Sequence, residues 1–440
     1  MGSLAAVWST LLFAASCSDD GREPAGEPTA SPSAASLDST ASIPSADLKD
    51  ELALLREIGY VDFDPNAPSD PDSVGVVLHD KSRVSPGYNL YASRIEPEAH
   101  LMNLDGEIVH SWSYPGPKEG VWDHVVMLEN GDLLVIVKFF GILKLDWDSN
   151  LIWRLPLKAH HDISPAADGS LYALSLQMET YRKLKVQFPI LVHISEAGEV
   201  VDRWRGIEHL GELQRWLDSR FFLDTLLTEL EQDGELESYL RTHRNRFDYF
   251  HTNTVTILPN TPLGERDARF RAGNIMLCLR NVDQIVILDA ESKEVVWSFG
   301  ANHLEHPHHP TMLDDGHILI FDNGVRRRHS RVIEIEPVSG ELVWQYVADP
   351  AEEFFTEQKG SSQRLPNGNT LICQGDYGRV FEVTPEGERV WEWKNPATIE
   401  GDPDPLSPGV YRVALYRMTR LKPALVEPLL RASADSAPTR

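Results

Sequence analysis

Cysteine is scarce. Three in 440 residues cannot build a disulfide scaffold, so any core must come from packing. Cations are also in short supply: Lys+Arg 41 against Asp+Glu 67, or 41 − 67 = −26 with His neutral. That shortage argues against nucleic-acid partners, whose phosphates must be neutralised by Lys and Arg. It argues equally against adsorption to an anionic lipid surface. The N-terminal apolar run, Leu4 to Ser16, has 13 residues, short of the about 20 that a membrane span needs. Gly 29 and Pro 29 are too few for a collagen-like or wholly disordered chain. What remains is ordinary for a folded protein: hydrophobic residues make up 42% and charged residues 25%. A prior of about 150 residues per domain suggests about three domains, but repeat folds escape that rule.

The same apolar run has the length of a signal-peptide core. It ends in Phe13-Ala14-Ala15-Ser16-Cys17, similar to a bacterial lipoprotein box in which Cys17 becomes the lipidated first residue. The n-region carries no Lys or Arg, and an ordinary secretory signal is the alternative. Ser18 to Ala46 is rich in Ser, Pro, Ala and Asp and cannot form a core. The chain therefore reads as a signal peptide over 1–17, a disordered tether over 18–47 and a short helical linker over 48–74. Export follows, to the periplasm or to a membrane through a lipid anchor. Cys278 and Cys373 fall in predicted strands and read as buried free thiols.

From residue 75 the chain repeats itself. One half of the unit is an apolar strand, a Gly/Asp turn and a second strand ending in Trp. The six Trp are 112, 153, 204, 297, 344 and 391, at spacings of 41, 51, 93, 47 and 47. The spacing of 93 contains an insertion, 206–247, with apolar residues at helical periodicity. Removing these 42 residues leaves 51. The other half-unit is a polar or His start, a strand, an Asn/Asp-Gly turn and a strand, as in DHVVMLENGDLLVIV and HPTMLDDGHILIFDNG. Two hairpins per unit and six units predict a six-bladed β-propeller over 75–420 with a helical insertion, followed by a frayed tail over 421–440. The repeated Trp read as packing between blades.

In a propeller the first strand of each unit lines the central channel. His124 lies seven residues before Gly131, His161 eight before Gly169, His308 eight before Gly316, and His251 nine before Asn260. Four units thus place His near one mouth, whereas a fifth has Ser361. Taken singly, such a His is more often a turn cap; as a set on one axis they point to a site. Arg280 ends the strand after that of His251 and can reach the same rim. Several imidazoles and one guanidinium suit a sulfate or phosphate ester, whose transfer depends on positioning and cationic stabilisation of the non-bridging oxygens.

At these residues the sequence resembles the bacterial arylsulfotransferases, the class that uses phenolic sulfate esters as donors. The matching motifs are His161-Asp162 before an Asp-Gly turn, His251-Thr252-Asn253 leading to Leu258-Pro259-Asn260, Arg280, and HHPTMLDDGHILIFDNG from His308 to Gly324, followed by Ser330-Arg331. Val410-Tyr411-Arg412 is similar to the family's closing segment. The resemblance covers roughly 75–420. It implies a sulfotransferase that moves a sulfuryl group from an aryl sulfate to a phenol through a sulfohistidine. His308 would be the nucleophile, His251 and Arg280 would hold the sulfuryl oxygens, and His161 would assist the leaving phenol. Asn253, His124 and His309 would contact substrate. It implies neither metal nor other cofactor. His309 adjoins His308, and strand alternation points two neighbours oppositely; the count to Gly316 favours His308 as the one facing the channel.

Two other readings stand beside this one. A non-catalytic anchored propeller would bind a ligand with the same residues dispensable for chemistry. A metal site would use His306, His308 and His309, although zinc sites usually draw on better-separated ligands. Trp122, Tyr181, Phe250 and Tyr377 are as suited to core as to a substrate platform.

Overall fold

The computed structural model describes residues 73–115, 121–242, 246–401 and 409–436. The expected signal peptide, Cys17 and the tether lie outside these residues.

Six antiparallel sheets follow one another around an axis. In blades two to six the innermost strands are Trp122–Met127, Ala159–Pro165, Thr252–Ile257, His308–Met312 and Ser361–Arg364. Each pairs outward with the next strand in sequence. Blade one is closed differently. Its inner strand is Met418–Leu421, which pairs with Tyr88–Ala92 from the other end of the chain, with Tyr88 opposite Leu421. Gly75–His79 adds a fifth, outermost strand to blade six, on Arg389–Lys394. Both chain ends therefore lock the ring.

The strands form because the middle strands of the blades are rich in aliphatic residues that meet neighbours on both faces. Leu133–Val137, Ile275–Leu279 and Ile318–Asp322 are buried at every residue. Each such aliphatic side chain contributes roughly 1.5–3 kcal/mol relative to exposure. The outermost strands alternate, as one face meets water.

Four of the six repeated Trp bond across the seams between blades. Trp153 Nε1 donates to the Glu196 carbonyl (3.1 Å), Trp297 to Pro337 (2.8 Å), Trp344 to Pro385 (2.7 Å) and Trp391 to Leu104 (2.9 Å). In each case the acceptor is the outer turn of the next blade. In blade one His110 takes this part, bonding the Trp147 carbonyl at 2.9 Å. Gly198, at φ +81°, lets the indole of Trp153 lie over its turn: a Cβ there would come within 2.6 Å of the ring.

The insertion folds as three helices, Leu210–Arg215, Leu223–Gln232 and Leu236–Thr242. Leu223, Leu226, Leu227 and Leu230 form one buried stripe that joins blades three and four in a shared cluster with Phe188, Phe250 and Leu277. The insertion returns through Arg246–Asp248, which pairs in parallel with the long strand Leu184–Ile194 of blade three.

The segment after Leu421, expected to fray, instead forms a helix, Pro423–Ser436. Leu425, Val426, Leu429 and Leu430 make an apolar stripe that packs on the cluster between blades one and two. Trp147 Nε1 also donates to Ser433 Oγ at 2.7 Å.

Candidate functional site

The start of each inner strand and the end of the strand beside it lie at the same mouth of the channel. There the backbone is irregular. His161, His251, His306 and His309 all have positive φ (63°, 45°, 52° and 45°). Register shifts fall at the same place in blades three, four and five. These bends turn imidazoles toward the axis, where a regular pleat would alternate them away.

His308 is 3% exposed. Its Nδ1 meets Asn323 Oδ1 at 2.7 Å. The Asn323 amide is itself fixed, because Nδ2 donates to the carbonyls of Thr356 (2.8 Å) and Lys359 (3.0 Å). The oxygen of Asn323 must therefore face His308. It follows that His308 carries its proton on Nδ1 and its lone pair on Nε2. Burial, and then the Arg280 guanidinium, push this imidazole down to about 3, so it is neutral at physiological pH.

Arg280 is 4% exposed. It donates to the Asn281 amide oxygen (2.9 Å) and to the Glu357 carbonyl (3.3 Å), and its burial takes it off the surface. His251 Nδ1 bonds Asp248 Oδ2 at 2.7 Å, and its main-chain N–H donates to Asp248 Oδ1 at 3.2 Å. The His251 ring lies 5.0 Å from that of His161, edge to face. His161 is half-buried, and its Nδ1 faces Nδ1 of His160 in a short contact. Burial, followed by the neighbouring His160 and His251, holds His161 well below the usual imidazole range. His308, His251, His161 and Arg280 thus converge at one end of the channel.

His124 and His309 belong to a second group of residues, with the Tyr416 ring between His124 and His161. His124 and His309 line a cavity of about 300 Å³ inside the channel, with Asp162, Gln363 and Arg417. Asp162 joins them: Oδ1 lies 3.3 Å from His124 Nε2 and 3.1 Å from Arg417 Nη1. Burial alone would raise the Asp162 carboxyl, but Arg417 and His124 outweigh it and bring it to about 2. Tyr416 separates the two groups. Its ring packs against His124 (5.6 Å) and His161 (5.9 Å), and its hydroxyl donates to the Asn253 carbonyl at 2.9 Å.

The grouping is written in the turn count. His124, Asp162 and His309 each stand seven before their glycine, whereas His161 and His308 stand eight before theirs. Because His309 adopts positive φ, it and His308 both face the axis, at different depths. Asn253 is also displaced from its expected part. It is fully buried; Nδ2 donates to the Pro307 carbonyl (2.9 Å) and Oδ1 accepts from the Thr254 hydroxyl (3.0 Å), and so it ties blade four to blade five. His306, His308 and His309 do not converge as metal ligands. Among the described residues the grouping with ligand atoms within 4.8 Å of one another is Asp315, His317 and Glu334, on the rim of blade five. Trp122 and Phe250 are core, at 1% and 0% exposure.

Fold and site together define a β-propeller with a cationic, histidine-lined mouth. The chain belongs to the arylsulfotransferase family, whose profile, described as Arylsulfotransferase (ASST), matches residues 124–396, more than half its length. Membership supports arylsulfotransferase activity in general. No curated protein matches the sequence. Similar solved structures are distant from this chain. They include a protein of unknown function from Bacteroides caccae, at 15% identity and TM-score 0.46, covering 76% of this chain and 98% of that one. A streptogramin B lyase follows at 9% and 0.43, covering 79% and 93%, and the Dos1 propeller at 11% and 0.38, covering 76% and 78%.

Proposed function

We propose that the protein transfers a sulfuryl group from an aryl sulfate ester to a phenol by way of a sulfohistidine on His308. The observation that carries this reading is the locked Asn323 amide, which leaves a neutral imidazole with its Nε2 lone pair in the channel beside a permanent cation. A neutral imidazole is a nucleophile, and a planar guanidinium matches two oxygens of a tetrahedral oxyanion. Arg280 spreads the charge that develops on the non-bridging oxygens. The Nδ1–H of His308 stays on Asn323 throughout, so attack through Nε2 needs no base.

The donor and acceptor are small molecules, and the resident groups suffice without metal or nucleotide. We place the enzyme outside the cytoplasm, held by a lipid on Cys17, on the strength of the apolar run that ends there. The test is phenol release from para-nitrophenyl sulfate in the presence of an acceptor phenol. The wild-type protein releases phenol in proportion to acceptor sulfation. His308→Asn lowers the rate by about 1,000-fold or more, the order seen when a nucleophile is removed from a covalent mechanism. Unchanged release by that variant would refute the assignment.

A further inference from the structure

Three imidazoles converge on the mouth, and their Nδ1 atoms meet three different groups. His308 meets the neutral amide oxygen of Asn323 at 2.7 Å. His161 meets another imidazole, His160. His251 meets the carboxylate of Asp248 at 2.7 Å. An extra proton on a buried imidazole needs a compensating negative charge, and of the three only His251 has one in contact.

Resting on the sulfuryl-transfer reading, we propose that Asp248 is a positioning residue that makes His251 the proton donor and acceptor for the phenol oxygen, so that the helical insertion is part of the catalytic apparatus. His161 then borders the site without supplying the proton.

Asp248 is 5% exposed and held from several directions. Its strand pairs in parallel with Lys185–Gln187. Its carbonyl accepts from Asn281 Nδ2 at 2.8 Å, which ties it to the residue that also contacts Arg280. Tyr239, buried in the third inserted helix, bonds the Asp248 backbone. Around His251 stand His161, at 5.0 Å between ring centroids, together with His160, His306 and His308, and Arg280 stands beside His306 and His308. Of these groups Arg280 carries a fixed charge, and it is positive. The Asp248 carboxylate is therefore what permits His251 to carry a second proton. The insertion thus meets the site through Asp248, which ends the strand by which it returns to the propeller.

In the first half, the His308 Nε2 lone pair attacks sulfur and the N–S bond forms. The bond from sulfur to the aryl oxygen breaks with its electron pair on oxygen. That oxygen takes the Nε2 proton of His251, which becomes neutral while keeping its Nδ1–H on Asp248. In the second half the acceptor phenol gives its proton to His251 Nε2. The phenol oxygen bonds sulfur, and the N–S bond breaks back to the His308 lone pair.

The test is the dependence of rate on the leaving group, which loss of structure alone does not skew. A good leaving group needs no proton, whereas a poor one does. Para-nitrophenyl sulfate and phenyl sulfate are compared in wild type, Asp248→Asn, Asp248→Glu, His251→Asn and His161→Asn. For Asp248→Asn the expected result is a loss of at most about 3-fold on the nitrophenyl ester and about 100-fold on the phenyl ester, with partial recovery in Asp248→Glu. His251→Asn should show the same skew and His161→Asn should not. Equal losses on both esters in a folded Asp248→Asn protein would overturn the proposal. If that variant does not fold, a skew in His161→Asn without one in His251→Asn would overturn it. Failure of the wild-type protein to release nitrophenol would instead count against sulfuryl transfer itself.

Discussion

Single residues set protonation in this site, and that makes its acid behaviour predictable. Burial pushes His308 down to about 3 and His160 to about 4, and holds His161 and His306 well below the usual imidazole range. Between the unfolded value of 6.5 and these folded values the unfolded chain binds more protons. Stability therefore rises with pH across that window and is lost as pH falls from about 6.5. The slope is up to about 1.4 kcal/mol per pH unit for each such histidine. Asp162 and Asp123, both brought from 3.8 to about 2, act in the same sense at lower pH: their contribution is present above about 3.8 and is lost as pH falls toward about 2. Urea midpoints measured from pH 7.5 to 4.5 should drop steadily, and less steeply in His308→Asn. A flat profile would contradict the buried, neutral state of these rings. At this scale the sequence was partly readable. The offset of seven or eight residues before the turn glycine already separates His124 and His309 from His161 and His308, yet one residue of offset means little until positive φ shows which way each side chain turns. Asn323 stands inside the FDNG motif, but its part depends on carbonyls of Thr356 and Lys359, more than thirty residues on, which no local pattern reports.

At the scale of elements, the Trp repeat marked the blades and their order, because a strand that ends in Trp recurs with each blade. It could not show that the indoles reach across seams to the next blade's turn. That role rests on the turn being thin enough, as at Gly198 beneath Trp153. Gly198→Ala should cost about 2 kcal/mol, from strain at positive φ together with displacement of the indole from Glu196. Gly273→Ala is the comparison. It has a similar φ of +89° but nothing closer than 4.0 Å to its added methyl, so it should cost the strain alone. Thermal unfolding of the two variants measures the difference, and equal losses would mean that the Trp153 staple adds nothing. The insertion was legible as helices from its apolar spacing. Its delivery of Asp248 was not, although Asp248 lies only three residues before His251, because a parallel pairing with blade three sets that geometry.

For the whole molecule, closure of the ring brings residues late in the chain to the site. Tyr416 and Arg417 immediately precede the inner strand of blade one, and they form the floor under His161 and the partner of Asp162. Their place depends on a contact between Leu421 and Tyr88, across most of the sequence, and for that reason sequence periodicity ended without them. The central claim is that this ring assembles one neutral imidazole, His308, able to take a sulfuryl group through Nε2. The most direct measurement is intact mass, followed by peptide mapping, of the protein quenched after brief exposure to para-nitrophenyl sulfate without acceptor. The account predicts the mass gain of one sulfuryl group, located on His308, absent in His308→Asn and discharged on adding a phenol. Nitrophenol release with no adduct, or an adduct on His309 or His161, would contradict it.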